Sequence, residues 1–293
     1  MTSPYIRRRR LAAELRKLRE ARSLTTDELA RLVYQSRTKI SKLENAQIRP
    51  DLAEIVTILK ALDVTGRQYE KVFDLAHAAA RKGWWDRYGN AMGDRQRLYA
   101  DLESGAKSIR SYNQTGIPAA LQTPELIAAL IELDQAAGPV TYRPERMTEA
   151  RTRRQQHLLG PDGPTYDAIL DECALYRLGV PRPVMSAQLR HLIEVVSDEP
   201  RVTVRVLPHD AHLLGGLLPQ SSFFLYTFPD KADPPTAMVD TVTTDIALTA
   251  RGEIARYTGQ YELLWKAALP PLESLAFLGR VAERLDDGAG SRT

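Results

Sequence analysis

A chain of 293 residues, 43% hydrophobic and 26% charged, holds enough apolar material for two packed domains and lacks the bias of a disordered or fibrous protein. The single cysteine, Cys173, excludes an intramolecular disulfide framework, and no apolar run is long enough for a membrane span or a signal-peptide core, so a cytoplasmic protein without a membrane partner is expected. The net charge of +3 hides an asymmetry: residues 1–83 hold 18 Lys and Arg against 10 Asp and Glu, and the rest hold 22 against 27, as expected if only the first part meets a polyanion.

In chain order, Arg7–Glu20 carries Leu11, Leu15 and Leu18 on one helical face. The run Arg7–Arg10 before them reads either as extra phosphate contacts or as a frayed, solvated tail. Thr25 with Glu28 three residues later is the reciprocal capping pattern that opens a second helix through Leu29 and Leu32. After a turn near Tyr34, Ser36 caps a third helix with Ile40 and Leu43 inward. Asp51 and Glu54 repeat the signature for a fourth, and a fifth follows Thr65. About five short helices make residues 1–83 an all-α module.

The third helix turns short polar and basic side chains outward. Arg37, Thr38, Ser41 and Lys42 suit base edges in a major groove, and Thr26, Ser36, Lys39 and Arg49 suit the phosphate backbone. The elements LRKLREARSLT, DELA, KISKLEN and Pro50 resemble the XRE-type helix-turn-helix family, which includes phage repressors and Cro proteins. The resemblance implies binding to double-stranded DNA, a structural pair between Glu44 and Arg19, and a homodimer on two half-sites. Ser23, Tyr34 and Ala46 stand where such units usually carry turn glycines, which accept positive φ without steric penalty.

Gly83–Gly93, rich in aromatics, reads as a junction in which Trp84 and Trp85 pack rather than stack on bases. Beyond it, strands are expected at Ser108–Tyr112, Tyr166–Leu170, Val202–Leu207, Ser222–Phe228, 238–242 and Ile246–Leu248. Helices are expected at Pro124–Leu133, Arg143–Leu159, Val184–Val196, Arg251–Ala267 and Pro271–Leu285. Without regular βα alternation, residues 84–286 form an α+β domain with a mixed or antiparallel sheet, followed by a disordered tail at 287–293.

GIPAALQTPE, RTRRQQ, LDECALYR, VMSAQLRHL and VTVRVLP, in that order, resemble the actinobacterial group in which an XRE-type unit precedes an uncharacterised effector domain. That resemblance implies a regulator linked to development or secondary metabolism, responding to a small-molecule effector or a small partner protein. No metal-ligand spacing, phosphate loop or nucleophile elbow occurs, so neither metal nor cofactor is expected. Tyr112, Gln114, Glu172 and Arg177 are the candidate ligand-binding residues. A second reading makes the body a cofactor-independent enzyme of natural-product biosynthesis, with Asp171, Glu172, His209, His212, Tyr112 and Asp240 moving protons in a dehydration, addition or cyclisation.

Overall fold

The computed structural model describes residues 2–213, 215, 218–241 and 245–287. Two compact units emerge, the first comprising Met1–Arg87, Leu98–Gly105 and Pro229–Asp233, the second Tyr88–Arg97, Ala106–Phe228 and Pro234–Thr293.

In the first unit, five helices follow one another: α1 (Pro4–Ala21), α2 (Thr26–Leu32), α3 (Arg37–Glu44), α4 (Leu52–Ala61) and α5 (Gly66–Ala80). Their starts are chemically marked. Thr25 and Glu28 form the full capping box, Ser36 Oγ accepts from the Lys39 N–H, and the Asp51 carboxylate accepts from Ala53 and Glu54. Leu11, Leu15, Leu29, Ile40, Ile55, Leu59 and Val72 close a single core. Thr65 precedes α5 as expected but makes no side-chain cap.

The ends of these helices are where the missing glycines matter. Ser23, Tyr34, Ala46 and Asp63 have φ of 54, 53, 59 and 48°. Each follows the last residues of a helix and makes the paired bonds of a Schellman cap. Ser23 donates to Glu20 and Leu24 to Arg19, Tyr34 to Arg31 and Gln35 to Ala30, Ala46 to Leu43 and Gln47 to Lys42, Asp63 to Lys60 and Val64 to Leu59. The left-handed turn is therefore kept without the residue that makes it easy.

The arginine run is not a frayed tail. α1 starts at Pro4 with Ser3 as its cap, so the run is inside a helix. Arg7 and Arg10 both engage Asp230 and Asp233 at 2.7–3.0 Å, and the Asp233 side chain is only 2% exposed. The partners sit more than two hundred residues away, which local pattern cannot reveal.

Asp101 performs a related task. Its carboxylate accepts from Ser3 Oγ at 2.5 Å and from the Tyr5 N–H at 3.0 Å, satisfying the amino end of α1. Burial pushes its pKa up to about 6, against the opposing pull of Ser3 and Arg8. A raised folded-state pKa means that the folded protein holds this proton more tightly than the unfolded chain. The associated stability is full below the unfolded pKa of about 4 and is lost as pH rises through about 6. Urea midpoints of the wild type and Asp101→Asn should therefore diverge in the wild type's favour between pH 7.5 and 5. A gap constant across that range would contradict the assignment.

The second unit is an α+β domain around a six-stranded mixed sheet of order β3-β2-β1-β4-β5-β6. Its strands are β1 (Ser108–Asn113), β2 (Thr165–Asp171), β3 (Val202–Leu207), β4 (Phe223–Thr227), β5 (Thr236–Val239) and β6 (Ile246–Leu248). β1, β2 and β3 run parallel, and β4, β5 and β6 continue antiparallel from β1. β5 begins two residues before its expected start and ends at Val239; residue 242 lies outside the described residues.

α6 (Gly93–Gly105) precedes β1. α7 (Pro124–Ala137) and α8 (Pro144–Leu158) connect β1 to β2, and α9 (Cys173–Tyr176) and α10 (Arg182–Asp198) connect β2 to β3. α11 (Arg251–Ala267) lays Tyr261 and Leu264 on the sheet face of Tyr112, Ile169, Phe223 and Leu225. α12 (Pro271–Asp287) packs on α10 and β3. The Leu269 N–H donates to Val206 O, and Val206 N–H donates to Ser274 Oγ, so the β3 edge is sealed by the chain that leads into α12. Asp287 closes α12, and the remainder of the expected tail lies outside the described residues.

Three of the sequence landmarks turn out to be one structural junction. Arg151 of RTRRQQ donates to Gln122 Oε1 of GIPAALQTPE at 3.0 Å, and Gln155 donates to the Gln122 carbonyl. Gln188 of VMSAQLRHL donates to the Leu121 carbonyl at 2.7 Å and accepts from the Thr123 N–H at 2.6 Å. The Gln155 and Gln188 amides satisfy irregular backbone between β1 and α7, which would otherwise lose water without a partner, while Arg151 holds the Gln122 side chain.

Candidate nucleic-acid interface and effector cleft

The outward face of α3 is short and polar because Ile40 and Leu43 point inward and everything between them points away. Ser36, Arg37, Thr38 and Lys42 are exposed, with the Arg37 side chain 72% accessible and its Nε 3.5 Å from Asp27 Oδ2. Ser41 and Thr26 are half-buried. Two of the phosphate candidates already have carboxylate partners: Lys39 pairs with Glu54, and Arg49 places one nitrogen 2.8 and 2.9 Å from both oxygens of Asp86. Such partly exposed pairs contribute about 0–1 kcal/mol, so a phosphate competes with them on even terms.

Beneath this face lies the Arg19–Glu44 pair. Arg19 Nε and one terminal nitrogen donate to the two Glu44 oxygens at 2.7 and 2.9 Å, and the other nitrogen donates to the Leu24 carbonyl at 2.7 Å. Its role is to fix α3 against α1, and it reaches no outward surface. Trp85 is likewise buried, edge-on to Trp84, which is packing rather than a platform for bases.

In the second unit a cleft of about 1040 Å³ opens beyond the carboxyl end of β1. β1 is where the strand order changes direction: β2 and β3 lie on one side of it and β4, β5 and β6 on the other. Loops part at such a strand, and ligands of α/β sheets collect there. Phe223 and Val239 line it with buried apolar surface, and Gln114, Thr115, Gln220 and Ser221 with polar groups. α11 contributes Glu253, Arg256, Tyr257 and Gln260, and Arg95 and Asp240 complete the charged part of the lining. The α11 residues fall at i, i+3, i+4 and i+7, a polar stripe on a helix whose other side covers the sheet. That periodicity was the available signal for the site, and it is invisible to a search for clustered catalytic types.

The sequence-derived body residues do not converge. Gln114 and Asp240 line the large cleft. Glu172, Arg177 and His209 line a separate, shallow hollow of about 360 Å³ together with Cys173 and Tyr176. Tyr112 is buried within the sheet layer, and its hydroxyl donates to Asp171 Oδ2 at 2.7 Å. Burial and that bond push the Tyr112 phenol far above its usual range, while Asp171 Oδ1 accepts from the Cys173 N–H at 2.9 Å. Asp171 thus organises the turn into α9. Glu172 Oε2 holds both the backbone N–H and Nδ1 of His209 at 2.9 Å, which raises the His209 pKa. His212 is exposed on the loop after β3. The proposed proton-transfer set is therefore divided among a cleft, a hollow, a strand end and an exposed loop. No group of three or more His, Cys, Asp or Glu is arranged to hold a metal among the described residues.

Residues 96–280, the greater part of the chain, match the family model described as "Domain of unknown function (DUF5753)". The chain belongs to the DUF5753 family. Residues 10–71 match a model described as "Helix-turn-helix domain", so a helix-turn-helix precedes the DUF5753 region. No curated protein and no solved structure matches the chain. The DUF5753 match spans the sheet, the hollow and all of the cleft lining except Arg95, and no helix among the described residues is long and apolar enough to cross a membrane.

Proposed function

We propose that this DUF5753 protein is a sequence-specific transcriptional regulator of the cytoplasm. It binds double-stranded DNA as a homodimer through α3 and takes a small-molecule effector in the cleft beyond β1. The observation that carries the reading is the outward face of α3: exposed Arg37, Thr38 and Lys42 on a fully capped helix backed by a complete core. Arg37, Thr38, Ser41 and Lys42 read base edges, and Thr26, Ser36, Lys39 and Arg49 position the unit on phosphates. The XRE-type resemblance of the KISKLEN segment supports the same assignment, and half-sites one helical turn apart fit a two-fold dimer.

Fluorescence anisotropy against the DNA upstream of the protein's own coding sequence tests this. Arg37→Ala and Lys42→Ala should each weaken specific binding by about 5- to 150-fold. Lys39→Ala should weaken specific and non-specific DNA alike and reduce the salt slope by about 1. Absence of binding at low salt, where phosphate contacts are strongest, would remove the proposal.

A further inference from the structure

We propose that the cleft beyond β1 governs DNA binding through α6 and the β4–β5 hairpin. Each has one end in the cleft lining and holds the amino end of α1 with the other. The proposal rests on the effector reading of the cleft and the DNA reading of α3, and it names the route between them.

The start of α1 is held from outside the helix. Its first N–H groups have no intrahelical carbonyl, and Arg7 and Arg10 place two like charges one turn apart. The acceptors arrive from far along the chain. Asp101 accepts from Ser3 Oγ and the Tyr5 N–H, and Asp230 and Asp233 take both guanidiniums. Three carboxylates thus keep the first turns of α1 closed. The same helix carries Arg19, the buried partner of Glu44 on α3, so the setting of α1 reaches the helix assigned to the bases.

Each of these carboxylates sits on an element that also lines the cleft. Arg95 in the lining and Asp101 are six residues apart on the single helix α6. A helix rises about 1.5 Å per residue, so roughly 9 Å of rigid rod separates them. On the hairpin, Phe223 and Val239 face each other across β4 and β5, and both line the cleft. Asp230 and Asp233 lie in the connection at the other end, beyond the pairing of Tyr226 with Thr236. A helix or a paired ladder passes a displacement from end to end, whereas an irregular loop absorbs it.

The two elements are also joined at their cleft ends. Arg95 Nε lies 2.6 Å from Asp245, just ahead of β6, and a terminal nitrogen lies 3.6 Å from Asp240, which follows β5. A ligand that draws Arg95 from these carboxylates, or wedges beside Phe223, moves the start of α6 against the end of the hairpin. Asp101 on one element and Asp230 with Asp233 on the other then no longer fit α1 together. The first turns of α1 open, and DNA affinity falls. The two states are α1 anchored and α1 loosened, and the ligand favours the second.

Amide hydrogen exchange on the full chain reads the first turns of α1. Arg95→Ala, which cuts the tie at the cleft, should speed exchange of residues 5–10 by about fivefold or more while α4 stays unchanged. Ser221→Trp, which crowds the cleft and leaves the named ion pairs in place, should do the same. In an Asp101→Asn or an Asp230→Asn/Asp233→Asn background, α1 no longer bridges the two elements, and Arg95→Ala should add less than about twofold. Fluorescence anisotropy should show DNA affinity falling in step. Exchange unmoved in both cleft variants, exchange quickened throughout the first unit, or effects that simply multiply in the combined variants would each overturn the proposal. Quickened α1 exchange with unaltered DNA affinity would overturn the control of binding. Wild-type protein that binds no DNA at low salt overturns the regulator reading and this control with it. Exchange that still responds as expected would place that failure in α3 rather than in the route.

Discussion

Glu44→Ala is expected to unfold the helix-turn-helix at temperatures the wild type survives. Glu44 and Arg19 are both buried, and their fork-to-fork pairing at 2.7 and 2.9 Å shields most of the guanidinium from water. Removing one partner of a buried pair costs about 3–5 kcal/mol, mostly because the other is left as an uncompensated charge. A unit of this size has a total stability of roughly 5–15 kcal/mol, so the loss is a large share of it. Far-UV circular dichroism should place the midpoint of the first unit's transition more than about 10 °C lower. The double variant Arg19→Met with Glu44→Leu removes both charges together and should recover most of the loss, because the desolvation penalty disappears with the pair. If the double variant melts as low as Glu44→Ala, geometry rather than charge is what the pair supplies.

The opposite sign is expected from Ser23→Gly, Tyr34→Gly and Ala46→Gly combined. All three residues hold φ between 53 and 59°, where a Cβ crowds the following carbonyl at about 1–2 kcal/mol. Glycine removes that strain but adds freedom to the unfolded chain worth about 0.4–1 kcal/mol, so each substitution nets roughly 0.5–1 kcal/mol. The Tyr34 ring is 96% exposed and forfeits no packing when deleted. The three turns are separate and the gains should add to about 2 kcal/mol, lifting the melting midpoint by about 10 °C. DNA affinity should stay where it was, because the outward groups of α3 are untouched. A triple variant no more stable than the wild type would mean that the surrounding caps have relaxed the strain. A variant that gains stability and loses DNA binding would mean that Tyr34 is itself part of the interface.

Most of the fold was legible in the sequence where its cause was local. Capping signatures at Thr25, Ser36 and Asp51 marked helix starts to within a residue, and alternation marked β3 and β6 at their observed bounds. α6 was not anticipated. Its last seven residues, Tyr99–Gly105, are all buried, acids and serine included, so the run carries no one-sided apolar stripe to read. Arg7 and Arg10 misled for the same reason: a solvated tail and a buried ion-pair network look alike until the distant aspartates are known. At the candidate sites, the α3 face was readable because a single eight-residue helix carries most of it. The cleft draws on residues from Arg95 to Gln260, and only the α11 stripe betrays it.

The segment Pro229–Asp233, which joins β4 to β5, belongs with the helices of the first unit, as do the last eight residues of α6. A polypeptide cut after residue 87 would therefore keep α1 to α5 of the helix-turn-helix unit yet lack Asp101, Asp230 and Asp233. Arg7 and Arg10 would face each other without counter-charge, and the amino end of α1 would lose its acceptor. The two halves of this protein are interleaved rather than strung in series. Grafting the helices onto a foreign partner at a single crossover would transplant an incomplete fold, and a working chimera must carry three separate stretches of the chain.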